Sequence, residues 1–370
     1  MRSAAAWGVA SIFSIFFTTM ILVSSVGAQS STQTPQAVTP APAALSPVQQ
    51  QGTPAQAGSP PAGNKAPQAT APAPDQPPAA QEPTGQEPSG NDQGMFVFRK
   101  QIEEVVLHAT VVDEQQHLVT GLDRSAFTVY EQGQAQTITS FRREDVPVEL
   151  GIVVDNSGSM RDKRGQVNQA VINLIRASNP DDQVFVVNFG LKPYLDQDFT
   201  SDVNLLQAAL HQVSAIGSTA LYDAIVASAV HLENNGRLTK KVLLVITDGE
   251  DNMSQDTLQE AARRLQRANG PTLYAIGLTG GGLQGEGRAA LQQLAEGTGG
   301  VVYFPESLDQ VDTITRSVAR DIRSQYIIAY KPRNHGKPDY QSLRVEASAP
   351  GYGKLAVRTR SGYYPPETTH

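Results

Sequence analysis

Two short apolar runs, 150–154 and 242–246, are each followed within two residues by an aspartate, Asp155 and Asp248. Runs of this length, closed by polar turn residues, fit strands buried on both faces of a parallel sheet. Such a sheet needs helices on each side, which commits the chain to alternating strands and helices. The first run leads into Asp155-Asn156-Ser157-Gly158-Ser159, which offers one carboxylate and two hydroxyls within five residues. All are hard oxygen donors, and no softer donor stands beside them. That set suits a small divalent cation such as Mg²⁺. Asp-x-Ser-x-Ser alone is weak, because the same residue types cap ordinary strand-to-loop turns.

Two later segments add to it. Gly217-Ser218-Thr219-Ala220-Leu221-Tyr222-Asp223 opens a helical stretch with a hydroxyl at Thr219, and 241–249 is a second buried strand that ends in Asp248. Together the three segments resemble the metal-ion-dependent adhesion site of von Willebrand factor A (VWA) domains. Residue by residue, Asp155, Ser157 and Ser159 match its first loop, Thr219 its second and Asp248 its third. The resemblance covers about 146–324.

It implies a doubly wound, mostly parallel α/β sheet whose first and fourth strands lie side by side at the switch point, with the ligand crevice at their carboxyl ends. It further implies that Ser157, Ser159 and Thr219 bind the ion directly and that Asp155 and Asp248 act largely through water. The implied cofactor is Mg²⁺, with Mn²⁺ or Ca²⁺ as alternatives. The implied partner is a protein that offers an Asp or Glu carboxylate to the ion. Three other readings stand beside this one. The ion could serve only to stabilise an envelope protein, the centre could assist a hydrolase, or the residues could merely cap turns, with Thr219 capping a helix over 219–233.

Catalytic patterns are wanting. Ser157 stands where an Asp-x-Asp phosphatase motif needs its second carboxylate. The six histidines (108, 117, 211, 231, 335 and 370) are scattered, and no Gly-x-Ser-x-Gly elbow occurs. Gly280-Gly281-Gly282 lacks the Lys-Ser/Thr of a phosphate loop. Glu250, Asp251 and Asn252 read as a solvated loop. We therefore expect a non-enzymatic protein.

Composition narrows the setting. A net charge of −7 speaks against nucleic acid or an anionic membrane surface as partner. The absence of cysteine removes disulfides, thiolate metal sites and a thiol nucleophile. Residues 1–28 carry Arg2, an apolar run and a Val26-x-Ala28 end suited to signal-peptidase cleavage, so the chain is expected to be exported, whether periplasmic, cell-surface or secreted. An uncleaved anchor is the alternative, and the one route to membrane attachment. Residues 29–94 are rich in Pro, Ala and Gln and read as a disordered spacer.

The α/β region, 147–324, is flanked by two stretches of β character, 95–146 and 325–370. In the first, apolar residues alternate from Val105, and Phe127–Tyr130 and Thr137–Phe141 flank Gln132-Gly133-Gln134 as a hairpin. This segment resembles the one that precedes the VWA module in VWFA-related domain proteins of acidobacterial type. Neither flank is large enough to bury a core alone. Together they offer about seven strands, so we expect a small all-β, immunoglobulin-like sandwich into which the α/β layer is inserted.

Overall fold

A computed structural model describes residues 104–143, 145–211, 217–280, 282–333 and 339–366. The expected leader, 1–28, and spacer, 29–94, lie outside the described residues. In chain order, β1 (Val105–Val112), β2 (Phe127–Glu131), β3 (Gln134–Gln136) and β4 (Ile138–Arg142) come first. The α/β layer follows with β5 (Val148–Asp155), α1 (Arg164–Arg176), β6 (Gln183–Phe189), β7 (Pro193–Thr200), α2 (Val203–His211) and α3 (Leu221–Asn235). It continues with β8 (Lys240–Thr247), α4 (Leu258–Leu265), β9 (Thr272–Gly277), α5 (Gly285–Thr298), β10 (Val302–Tyr303) and α6 (Val311–Arg323). The chain then forms β11 (Tyr326–Tyr330), β12 (Gln341–Ala347), β13 (Ala356–Arg358) and β14 (Gly362–Tyr363).

The central sheet has the order β10-β9-β8-β5-β6-β7. Only β7 runs antiparallel to its neighbour; the other pairs are parallel. The first and fourth strands of the layer, β5 and β8, are adjacent, as expected, with Ile152 opposite Leu244 and Val154 opposite Ile246. Their continuous apolar character follows from burial on both sides. Leu150, Ile152, Val154, Val242, Leu244 and Ile246 face a core with α1, α2 and α6. Val153, Leu243 and Val245 face the opposite core, with α3, α4 and α5.

Gly151 belongs to that second face. A Cβ at this position would lie 2.3 Å from Phe185 Cζ and 2.5 Å from Leu243 Cδ2. Gly151→Ala should therefore overpack the central strand and cost about 1–3 kcal/mol, read as a lowered urea midpoint at unchanged slope.

The flanking segments form two four-stranded antiparallel sheets, β13-β1-β11-β4 and β14-β12-β2-β3. Each joins strands from both sides of the α/β layer: β1 pairs with β11 (Leu107 opposite Ile328) and β2 with β12 (Val129 opposite Val345). One shared core contains Leu107, Val129, Phe127, Tyr326, Ile328 and Leu343. The α/β layer is thus inserted between the two halves of a sandwich.

The hairpin differs from expectation. Gln132 and Gly133 both have positive φ, 50° and 75°, as a two-residue hairpin turn requires. That tight turn pairs Glu131 with Gln134 at once, so the return strand is β3. Residues 138–142 instead cross to the other sheet and pair with β11. The fourth helix, α4, starts only at Leu258. Thr257 and Glu260 form a reciprocal capping box that fixes its start.

At the amino ends of the parallel strands the sandwich is bolted to the layer. Asp321 on α6 accepts from Thr110 Oγ1 at 2.7 Å and from Arg358 Nη2 at 3.0 Å. Lys240, which begins β8, donates to the carbonyl of Ile322. The candidate site lies at the other end.

Candidate metal centre

Asp155 is the last residue of β5, and Asp248 follows β8 directly. Strand pairing alone therefore places both carboxylates at the centre of the sheet's carboxyl edge, and both residues are fully buried. Asp155 Oδ1 accepts from the Ser157 N–H at 2.7 Å, and its Oδ2 accepts from Thr247 Oγ1 at 2.6 Å. Ser157 Oγ and Ser159 Oγ are 3.1 Å apart, and Ser159 Oγ donates to Asp248 Oδ1 at 2.7 Å. Thr247, Asp155, Ser157, Ser159 and Asp248 thus form one hydrogen-bonded chain, which passes through the Ser157 backbone N–H.

Thr219 arrives from the second loop. The Gly217 carbonyl accepts from the Gly158 N–H at 3.3 Å, which ties that loop to the first. Its hydroxyl lies over Gly249, where an added Cβ would be 3.1 Å from Thr219 Oγ1. A glycine after Asp248 keeps that hydroxyl free to approach. Thr219 does not cap the helix as the simpler reading supposed. The first helical residue of α3 is Leu221, Ala220 stands at the cap, and no side chain caps it. Ser157 likewise precedes a single 3₁₀ turn, Gly158–Met160, without a capping bond from its side chain. Of the five residues, only Asp155 also makes the local turn contact.

Burial pushes the Asp155 carboxyl above the usual carboxylate range. The Thr247 hydroxyl and the Ser157 groups pull it back, and the neighbouring Asp248 charge pushes it up again. A divalent cation between these two buried carboxylates would offset the charge of both.

The 250–252 segment is a loop with Asn252 exposed, as expected, and it also braces the second loop. The Asn252 side chain accepts from the Thr219 N–H at 3.0 Å, and the Asn252 N–H returns a 3.0 Å bond to the Thr219 carbonyl. Asp251 Oδ2 accepts from the Tyr222 N–H at 3.2 Å, and Glu250 Oε1 from the Gln284 N–H at 2.9 Å. Arg164, buried behind the first loop, donates to the Asp155 carbonyl at 3.2 Å, to Asn188 Oδ1 at 2.8 Å and to the Leu210 carbonyl at 3.0 Å. Lys163 makes an ion pair with Asp248 Oδ2. Sequence reading does not find Lys163, Arg164, Thr247 or Asn252, since none belongs to the motif. Their roles come from loops that meet only in three dimensions.

The donor set can be tested against an ion. Two oxygens at neighbouring corners of an octahedron, each 2.0–2.1 Å from Mg²⁺, stand about 2.8–3.0 Å apart. The Ser157–Ser159 hydroxyl spacing of 3.1 Å fits that edge. Among the described residues no three His, Cys, Asp or Glu side chains gather as a metal cluster. The centre therefore depends on hydroxyls, with two carboxylates for charge.

Residues 149–317 match the family model of the von Willebrand factor type A domain. Among solved structures, proximal thread matrix protein 1 from the mussel byssus is similar at 19% identity, over 52% of this chain and 51% of that one, with a TM-score of 0.43. The chain thus spans about half the length of the mussel protein, a further structure of which has a zinc-occupied MIDAS motif. A von Willebrand factor type A protein from Catenulispora acidiphila is similar at 15% identity, over 74% of this chain and 76% of that one, with a TM-score of 0.42. The PilB minor pilin from Streptococcus sanguinis is similar at 13% identity, over 50% of this chain and 63% of that one, also with a TM-score of 0.42. No curated protein matches. From the matched family model and the central, mostly parallel sheet flanked by helices, we conclude that residues 149–317 form a von Willebrand factor type A domain.

Proposed function

We propose that Asp155, Ser157, Ser159, Thr219 and Asp248 hold a divalent cation, Mg²⁺ in the first instance, and that an exported protein uses it to capture an Asp or Glu carboxylate of a partner protein. The observation that carries this reading is the 3.1 Å spacing of two hydroxyls between two buried carboxylates. Ser157, Ser159 and Thr219 would donate lone pairs to the ion directly. Asp155 and Asp248 supply two negative charges, enough to balance a divalent cation, while the hydroxyls remain neutral. Bound there, the ion would supply a positive centre with an exchangeable water position, open to a carboxylate.

The protein scaffold does the orienting. Asn252 fixes the backbone of Thr219, Thr247 holds one oxygen of Asp155, and Arg164 anchors the loop behind it. A binding role fits better than catalysis. Among the described residues the centre brings together no His or Cys. Ser159 Oγ does donate to Asp248 Oδ1 at 2.7 Å, but the other oxygen of that carboxylate already pairs with Lys163, so it is engaged in charge pairing. Export is part of the proposal and rests on the sequence of residues 1–28. Among the described residues no helix is long and apolar enough to cross a membrane.

The test begins with the ion. Mg²⁺ or Mn²⁺ at one hundred times its Kd should stabilise the 95–370 fragment by about 2.7 kcal/mol, seen as a rise in melting temperature. Asp155→Ala should abolish that rise. An equal response in this variant sinks the site assignment. Capture of a partner from envelope or secreted fractions should then require Mg²⁺ and fail in EDTA. An ion that stabilises the fold while capture persists in EDTA would favour the purely structural role.

A further inference from the structure

We propose that Lys163 is a tethered counterion of the metal centre, which a divalent cation must displace in order to bind, so that this side chain sets the chain's metal affinity below what its ligands alone would give. The inference rests on the metal-binding reading above. Lys163 lies four residues beyond Ser159, at the residue that precedes α1. Its side chain is only 15% exposed, and its ammonium pairs with Asp248 Oδ2, on a carboxylate that is itself 0% exposed. The other oxygen of Asp248 accepts from Ser159 Oγ at 2.7 Å. In this arrangement both oxygens of Asp248 are engaged, one of them by a hydroxyl that the ion would need.

The charge balance explains why such a residue would be placed there. Asp155 and Asp248 are buried together at the carboxyl edge of the sheet. An unpaired buried carboxylate is expensive. Lys163 offsets one of the two negative charges when no ion is bound, and so keeps the loops assembled. A divalent cation neutralises both carboxylates and repels the ammonium, which must then leave. A lysine can do this, because its charge rides on a flexible four-carbon stem. The loop after β9 lies beside it: the Lys163 ammonium is 3.5 Å from where a Cβ on Gly280 would stand, and Gly280 has a φ of +91°. The exchange of one cation for another makes occupancy conditional on the free metal concentration, and it leaves the empty site ordered.

Calorimetric titration with Mn²⁺ tests this on the wild-type protein and on Lys163→Met, Lys163→Gln and Lys163→Arg, with Asp155→Ala as the ligand control. Lys163→Met and Lys163→Gln should bind Mn²⁺ at least tenfold more tightly than wild type, and Lys163→Arg should stay within about threefold of it. Without metal, the two neutral variants should melt below wild type, and with saturating Mn²⁺ they should regain the difference. If Lys163 only braces the loop, its removal leaves Mn²⁺ affinity unchanged or lower, and that result overturns the proposal. The Gln variant, which keeps a neutral donor, decides the matter should the Met variant fail to fold. A wild-type protein and neutral variants that all fail to bind Mn²⁺ overturn the metal reading itself, whereas binding by wild type with no gain in the variants overturns this inference alone.

Discussion

Arg360→Ala is expected to lower the unfolding free energy by about 3 kcal/mol or more and to divide one cooperative transition into two. Arg360 follows β13 and is 7% exposed. Its guanidinium donates to the carbonyls of Leu265 at 3.4 Å, Ala268 at 2.6 Å and Gly270 at 3.1 Å. Those three acceptors mark where α4 ends and the chain turns into β9, so one side chain of the sandwich satisfies the orphan carbonyls of a helix in the α/β layer. Burial lowers its pKa from 12.5 to about 10, and it stays charged at neutral pH. Removing it strands several carbonyls in a region where backbone contacts are already close. Ser361 donates to the Gly297 carbonyl at 3.1 Å, and a Cβ on Gly299 would lie 2.5 Å from the Thr359 backbone. Lysine should not rescue the loss, because a single ammonium cannot span three acceptors in a planar fork. Urea titration followed by near-ultraviolet circular dichroism checks the prediction. A variant with the wild-type midpoint and slope would show that the two layers do not depend on this contact.

Why this interface escaped sequence reading is instructive. The apolar runs 150–154 and 242–246 made the central sheet legible, because burial on both faces leaves a continuous hydrophobic record. The positions of Asp155 and Asp248 were legible for a related reason. They follow from strand ends, and a strand end is visible in one dimension. The insertion was legible from size, since neither flank could close a core alone. Local turn geometry was harder. The positive φ values at Gln132 and Gly133 moved the return strand to 134–136, and nothing in the alternation of Thr137–Phe141 reveals that it crosses to another sheet. The polar contacts were harder still. Arg360, Asp321 and Lys240 bond mostly across long separations, with carbonyls as frequent acceptors, and a carbonyl has no letter in the sequence. Asn252 belongs to the same class. It read as loop because its partner is the backbone of Thr219, reached across thirty-three positions.

The same interface should make the protein acid-sensitive through one histidine. His108 lies on β1, against the start of β8, and its pKa is lowered from 6.5 to about 3 by burial first, then by the charges of Lys240 and Arg360, with a bond to the Thr239 backbone partly offsetting them. Its Nδ1 is buried and has no hydrogen-bond partner among the described residues. The folded protein therefore holds His108 neutral, whereas the unfolded chain protonates it below about pH 6.5. Stability from this group is complete above that pH and is lost as pH falls toward 3, since the unfolded state then binds the extra proton. A shift of this size would be worth about 5 kcal/mol in full. The side chain keeps some surface, so solvent relaxes part of the cost, and we expect about 2 kcal/mol between pH 7 and pH 4. Lys240, lowered to about 8, is charged throughout that window and adds no slope of its own there. Urea midpoints measured in EDTA at pH 7, 5.5 and 4 should fall more steeply for wild type than for His108→Gln. Groups common to both proteins cancel in the difference. A difference that stays flat across those three pH values would mean that solvent reaches the ring freely, and that the junction between sandwich and sheet is looser than its hydrogen bonds imply.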